Sequence, residues 1–284
     1  MNRTKIEWVK NPDGTQGYTW NPITGCLNNC SYCYARKLAN GRLKKRYLAN
    51  TEVANPIHYG TIVRGAHYPF DDPFYPRFWE DRLRELDPIW KSKHFTVGGG
   101  SKVQPKGIFV CDMSDLFGIG IPEDWTRRVL DVIKSNPYHR FYLLTKQPQN
   151  LIKFSPFPKN VWCGVTVTNN EMLSPALERL RFIEASVKYL SFEPLLDAIT
   201  GYDGCGLSYL LEDSGIEWVI IGAQTKPYKP PKMTWVEEIV GACDKASVKV
   251  FLKDNLLELV NYQSPETEFA FNKEGYYRQE MPDG

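Results

Sequence analysis

The chain has 284 residues and a 42% hydrophobic content, enough for one large α/β domain with a substantial core, and global disorder is excluded. Net charge is +2, so any affinity for nucleic acid must come from a local basic patch and not from overall charge. No apolar run reaches the length of a membrane span, and the first ten residues are polar and mixed in charge, so neither a membrane segment nor an apolar leader is expected. Seven cysteines, an odd count with four of them scattered singly, fit a reducing cytoplasm rather than a disulfide framework.

Taken in order, residues 4–25 place Ile6, Trp8, Tyr18, Trp20 and Ile23 around an Asn11-Pro12-Asp13-Gly14 turn. They predict a hairpin or arm leading into a first strand, Tyr18 to Thr24. Cys26, Cys30 and Cys33 follow at C-x3-C-x2-C spacing. Tyr32 to Leu48 then reads as a helix carrying Arg36, Lys37, Arg42, Lys44, Lys45 and Arg46. That face is either simply solvated or a docking patch for an acidic electron donor or a nucleic-acid backbone. Residues 50–104 form an irregular insertion rich in proline, aromatic residues, His and Arg, with a short helix over Glu80 to Leu86 and a Gly98-Gly99-Gly100 turn. This segment either plugs one end of a barrel or lines a pocket in which aromatic rings stack on a flat substrate.

From Lys106 the chain becomes regular. Strand-length apolar runs occur at Gly107–Cys111, Arg140–Thr145, Val161–Val167, Val187–Phe192, Glu217–Gly222 and Val248–Lys253. They are continuous rather than alternating, as in strands covered on both faces of a parallel sheet. Helical patterns separate them: one opened by Pro122, one over Ser174 to Ala185, and one capped by Thr234. The expected fold is α/β, a parallel (β/α) barrel, partial or closed, of six to seven strands. It is read as a single domain over 1–284, with residues 262–284 as a polar, aromatic tail.

Function in such barrels sits at the carboxyl ends of the strands. Those ends carry the cysteine loop, Cys111 to Asp115, Thr145-Lys146-Gln147, Thr166 to Asn170, Ser191 to Pro194, Gly222-Ala223-Gln224 and Lys253-Asp254-Asn255. Polar groups at every strand end point to a cofactor and substrate site.

Cysteine thiolates are the usual ligands of iron–sulfur clusters. Three of them on a four-iron cubane leave one iron free to bind something else. Structural zinc instead takes four ligands, commonly in two pairs. No second pair exists, so a zinc site would need an isolated residue such as His58, His67 or Cys111. The spacing, with aromatic Tyr32 before the third cysteine, resembles the motif of radical S-adenosylmethionine (SAM) enzymes, a TIM-barrel-related superfamily in which the open iron chelates SAM. The wider set IFVCDMSDLFG, FYLLTKQP, NVWCGVTVTN, YLSFEPLL, WVIIGAQ and VFLKD, together with Thr4-Lys5-Ile6-Glu7-Trp8, resembles the phage Gp37/Gp68 family, DUF5131, over nearly the whole chain.

The resemblance implies that Cys26, Cys30 and Cys33 ligate a [4Fe-4S] cluster and that Tyr32 lies against the SAM adenine. Asp112 to Ser114 occupies the place of a Gly-Gly-Glu run that binds the SAM amino group in many relatives. That run is absent here, and Ser114 or Asp115 is the substitute. It further implies that Thr166, Thr168 and Asn169 face the ribose and that Lys146 meets the SAM carboxylate. A lysine there opposes the dipole of the helix that follows, which favours a ligand role. Glu193 and Gln224 would contact SAM or substrate, Lys253 would anchor substrate or donate a proton, and Cys111 would donate a hydrogen atom or be structural. The expected activity is SAM cleavage in the cytoplasm, reduced by a flavodoxin- or ferredoxin-type protein, on a nucleic acid or nucleobase. The alternatives are a non-catalytic, metal-bound nucleic-acid-binding module on a degenerate barrel and an iron–sulfur electron-transfer protein.

Overall fold

A computed structural model describes residues 1–54, 70–86, 104–260 and 265–283. They form two compact units. The first comprises Met1–Lys5, Val9–Leu143 and Pro158–Val161, and the second Ile6–Trp8, Leu144–Phe157 and Trp162–Gly284.

In the first unit the elements are β1 (Asn2–Arg3), β2 (Tyr18–Trp20), β3 (Ile23–Thr24), α1 (Tyr34–Asn40), α2 (Lys44–Leu48), β4 (Arg77–Phe78), α3 (Glu80–Leu83), β5 (Gly107–Val110), α4 (Glu123–Lys134) and most of β6 (Arg140–Thr145). The strand order is β1-β2-β5-β6, parallel except for the β1–β2 edge, while β3 and β4 form a separate antiparallel pair. All four residues of β5 are buried, which accounts for its unbroken apolar run.

The second unit holds β7 (Val161–Thr166, its first residue in the first unit), α5 (Leu173–Arg181), β8 (Val187–Phe192), a hairpin of β9 (Gly201–Tyr202) and β10 (Cys205–Gly206), and α6 (Leu207–Asp213). β11 (Trp218–Ile221), a hairpin of β12 (Gln224–Thr225) and β13 (Tyr228–Lys229), α7 (Met233–Lys245) and β14 (Lys249–Leu252) complete it. Its sheet runs β7-β8-β11-β14, all parallel. One face carries an aromatic cluster in which Trp218 meets Trp8 at 6.0 Å, Tyr189 at 5.4 Å, Trp162 at 5.6 Å and Phe251 at 6.2 Å between ring centroids. Alternation along each strand puts Ser191 and Glu193 on the Tyr189 face, and Lys253 on the Phe251 face. The polar groups therefore stand at the strand ends, beyond a floor of rings.

The architecture is mixed α/β with mainly parallel strands, as expected, and several boundaries move. The sheet strands number eight among the described residues, four in each unit, because β1 adds an antiparallel edge too short to show a hydrophobic pattern. The expected strand Tyr18 to Thr24 splits into β2 and β3, since Pro22 between them has no N–H to donate. The single helix over Tyr32 to Leu48 is two helices, broken at Gly41, where Leu43 N–H turns back to the Leu38 carbonyl at 3.1 Å. The Ser174 to Ala185 helix stops at Arg181, and Lys232 rather than Thr234 caps α7. The runs containing His58 and His67 and the triple-glycine turn lie outside the described residues, as does the beginning of the tail. Among the described residues no helix is long and apolar enough to cross a membrane.

Candidate functional site

In the first unit the cysteine loop leaves β3 at Gly25 and enters α1 at Cys33, the N-cap. Gly25 has φ +86°, and a Cβ there would sit 2.3 Å from the Tyr75 carbonyl oxygen, so the loop can start only from glycine. The loop is latched along its length to the segment after β5. Asn21 Oδ1 accepts the Met113 N–H at 2.9 Å, and the Gly25 N–H donates to the Met113 carbonyl at 2.9 Å. The Ser114 hydroxyl donates to the Gly25 carbonyl, and Asn28 Nδ2 donates to Asp115 Oδ2 at 2.9 Å. The Leu27 side chain lies against Gly120.

All three loop thiols are free and partly accessible. The Asn28 N–H donates to Cys26 Sγ at 3.4 Å and the Arg36 N–H to Cys33 Sγ at 3.3 Å. Burial pushes the Cys26 thiol up to about 12, with the Asp115 charge adding to the rise, the Asn28 N–H opposing it, and Cys30 and Cys33 close enough to contribute. The guanidinium of Arg36 spans the loop: Nη2 donates to the Cys26 carbonyl at 3.1 Å and the group lies over the Phe74 ring. Among the described residues no three Cys, His, Asp or Glu side chains close around the position of one metal ion. In kind, the donors are those of iron–sulfur clusters: three thiols on one latched loop, with backbone N–H groups aimed at two of the sulfurs.

Asp112 is tied up locally. Its carboxylate accepts from Asn21 Nδ2 at 2.5 Å and from the Tyr34 hydroxyl at 3.4 Å, and that hydroxyl also reaches the Asp112 carbonyl at 2.7 Å. Burial raises its pKa against these hydrogen bonds. Cys111 is buried, and burial pushes its thiol well above the ordinary range, which suits packing and not redox work. Tyr32 is half-buried on the loop.

In the second unit Glu193 and Lys253 come together, and the N-terminal arm joins them. Lys253 Nζ pairs with Glu193 Oε1, while Trp8 Nε1 donates to Glu193 Oε2 at 3.4 Å. Glu7 Oε2 accepts the Asp254 N–H at 3.0 Å. Lys253 is only 8% exposed; burial lowers its pKa, but the charge and hydrogen bond of Glu193, with Glu7 and Asp254 behind, outweigh this and the net shift is upward. Burial raises Glu7, and Lys253 opposes that. Ser191, one of the most buried residues, has a hydroxyl with no hydrogen-bond partner.

The other residues singled out in this unit have local duties. Asn169 caps the short turn before α5, its side chain accepting the Met172 N–H at 3.2 Å, and the Thr168 hydroxyl lies 3.3 Å from Met172 Sδ. Thr166 is buried in β7, opposite Ser191 in the register of β8. Gln224 Nε2 donates to the Pro227 carbonyl at 2.9 Å and closes the β12–β13 hairpin. Lys146 is half-buried after β6. Sequence reasoning passed over Asn21 and Asn28, and it named Glu7, Trp8, Ser191 and Gly222 without giving any of them a role. Asn28 could have been found from its place inside the cysteine motif, and Gly222 from its place at a strand end.

These features define an α/β protein with a three-cysteine loop after its first parallel strand. Residues 3–264 match the family model described as "Protein of unknown function (DUF5131)", and the chain belongs to that family. The comparison with curated proteins finds no match. Among solved structures the chain is similar to a cysteine-to-serine mutant of spore photoproduct lyase, at 12% identity and a TM-score of 0.44, over 89% of this chain and 78% of that one.

Proposed function

We propose that this protein is a radical SAM enzyme of the cytoplasm, in which Cys26, Cys30 and Cys33 hold a [4Fe-4S] cluster and leave one iron to SAM. The observation that carries the reading is the latched loop with its three free thiols and no fourth cysteine in the motif. Held by Cys26, Cys30 and Cys33, such a cluster would supply one-electron reductive cleavage of SAM. The chain's own residues do the rest: they bind, orient and exclude water. Burial favours the neutral thiol of Cys26, so loading the site would release its proton, and metal uptake would weaken as pH is lowered. The N–H groups of Asn28 and Arg36 then meet negative sulfur.

In the first unit Tyr32, Asp112 and Ser114 are assigned to SAM. In the second, Lys146, Thr166, Thr168, Asn169 and Glu193 are assigned to SAM, and Gln224 and Lys253 to substrate. Cys111 is assigned a structural place. The strands are taken to curve into a partial or closed barrel, the reductant to be a flavodoxin- or ferredoxin-type protein, and the substrate to be a nucleic acid or nucleobase.

The test is electron paramagnetic resonance on anaerobically reconstituted, dithionite-reduced protein, with product analysis. A reduced four-iron signal that changes shape with SAM, and formation of 5′-deoxyadenosine, are expected. Zinc in place of iron, with no SAM-dependent change, would overturn the reading in favour of a metal-bound binding module.

A further inference from the structure

The hairpin of α1 and α2 has one apolar and one cationic face. Ala35, Ala39 and Tyr47 are buried against Phe74 and Met113, with Leu38, Leu43 and Trp79 packed at the edge. Outward stand Lys37, Arg42, Lys44, Lys45 and Arg46, all exposed. From Tyr34 to Thr51 there are six cations and no acid.

This arrangement works against helix stability. The first three residues of α2 are Lys44, Lys45 and Arg46, with no acidic residue in that turn, so they face the positive end of the helix dipole. Without acids on the hairpin, no ion pair three or four residues apart can compensate. A local conflict of this kind, in a hairpin otherwise well packed, suits an exposed face that meets a polyanion.

Two classes of polyanion could supply it. A protein partner needs an apolar patch at the centre of its interface. Among the described residues of this hairpin Tyr34 is the one large hydrophobic side chain classed as exposed, at 43%. Its hydroxyl is pinned to the Asp112 carbonyl, which fixes a partly accessible ring beside the cations. Charge plus a partly exposed aromatic ring suits a phosphodiester backbone with a base stacked on the ring.

We infer that the outer face of the α1–α2 hairpin binds the phosphate backbone of a nucleic acid, through Lys37, Arg42, Lys44 and Lys45, with Tyr34 as a stacking surface; Arg46 turns instead over the Trp79 ring. As the substrate class of the proposed enzyme this rests on the radical SAM reading; as a binding surface it does not.

The test is fluorescence anisotropy of a labelled single-stranded DNA of about 20 nucleotides, titrated with full-length protein over a range of salt, in iron-free and reconstituted forms. Arg42→Gln/Lys44→Gln/Lys45→Gln should weaken binding roughly ten- to a hundredfold at ~0.1 M salt and reduce the log–log salt slope by about 2, the effect of losing three phosphate contacts. Tyr34→Leu should weaken binding with the slope unchanged. Lys134→Gln/Lys229→Gln/Lys245→Gln, an equal charge change elsewhere, should leave both nearly as they were. Circular dichroism on each variant separates lost binding from lost fold. Equal affinity and slope in parent and hairpin variant, or equal loss in the control, would overturn the inference. So would hairpin-dependent binding of poly-glutamate without binding of DNA, which would indicate an acidic protein. DNA binding that persists while SAM cleavage fails would remove the enzyme reading and leave this surface standing.

Discussion

Lys253 and Glu193 pair across the width of β11, over Gly222. They follow β14 and β8, the strands that flank β11 on either side. The absence of a side chain at this position leaves room for the lysine stem: a Cβ on Gly222 would lie 2.8 Å from Lys253 Cδ and 3.4 Å from Glu193 Cγ, so the lysine would have to shift. Gly222→Ala should therefore destabilise the protein by about 1–3 kcal/mol through overpacking. In urea unfolding, adding Lys253→Ala to Gly222→Ala should cost less than Lys253→Ala alone, because the clash goes with the lysine. Strict additivity would show that the two side chains do not share this space.

The same pair sets a pH dependence with a definite sign. The folded pKa of Lys253 lies above its ordinary 10.5, so its contribution is complete below that value and is lost as pH rises through the folded one. Glu193→Gln removes the main cause. The stability gap between parent and variant should be steady at neutral pH and close on the alkaline side. Glu7 behaves oppositely to a paired carboxylate: burial raises it above 4.5, so its stabilising contribution is present below that value and lost as pH rises through the folded pKa. Glu7→Gln keeps an acceptor for the Asp254 N–H and should gain on the parent above that window. Denaturant midpoints measured across the acid, neutral and alkaline ranges check both.

Ser191 carries a buried hydroxyl with no partner, and such a group costs about 1–3 kcal/mol in desolvation. Replacing it with alanine removes the group and leaves only a small void. Ser191→Ala should be neutral or stabilising by up to about 1 kcal/mol in thermal unfolding. A clear loss of stability would mean that the hydroxyl is satisfied in solution.

Iron content separates ligating from structural cysteines. Cys26→Ala, Cys30→Ala and Cys33→Ala should each lose most iron and sulfide after reconstitution. Cys205→Ser, in the β9–β10 hairpin, and Cys243→Ala, buried on α7, should keep the parent content. Full iron loading in any of the three loop variants would remove that residue from the ligand set.

The cysteine loop was legible as a unit because it is local: three thiols within eight residues share one loop whatever the fold around them. The parallel strands were legible too, since burial on both faces leaves an unbroken apolar run such as Val161–Thr166, buried at every residue. Element ends were less so, because Gly41 ends a helix and Pro22 splits a strand more sharply than hydrophobic spacing suggests. The helix expected after Thr234 is present as α7, burying Val236, Ile239, Val240 and Cys243 at helical spacing, although its cap is Lys232.

Sequence by itself determined the spacing of the three loop cysteines, the strand–helix alternation and the basic run of the α1–α2 hairpin, each encoded by residues near one another in the chain. Only the tertiary structure decided that Glu7 and Trp8 belong with Glu193 and Lys253, and that Asn28 latches the cysteine loop to Asp115. Partners 87 or 185 positions apart leave no periodic trace in the chain. They meet because hydrogen bonding fixes the order of the strands, and strand order, not sequence distance, sets which side chains share a strand end.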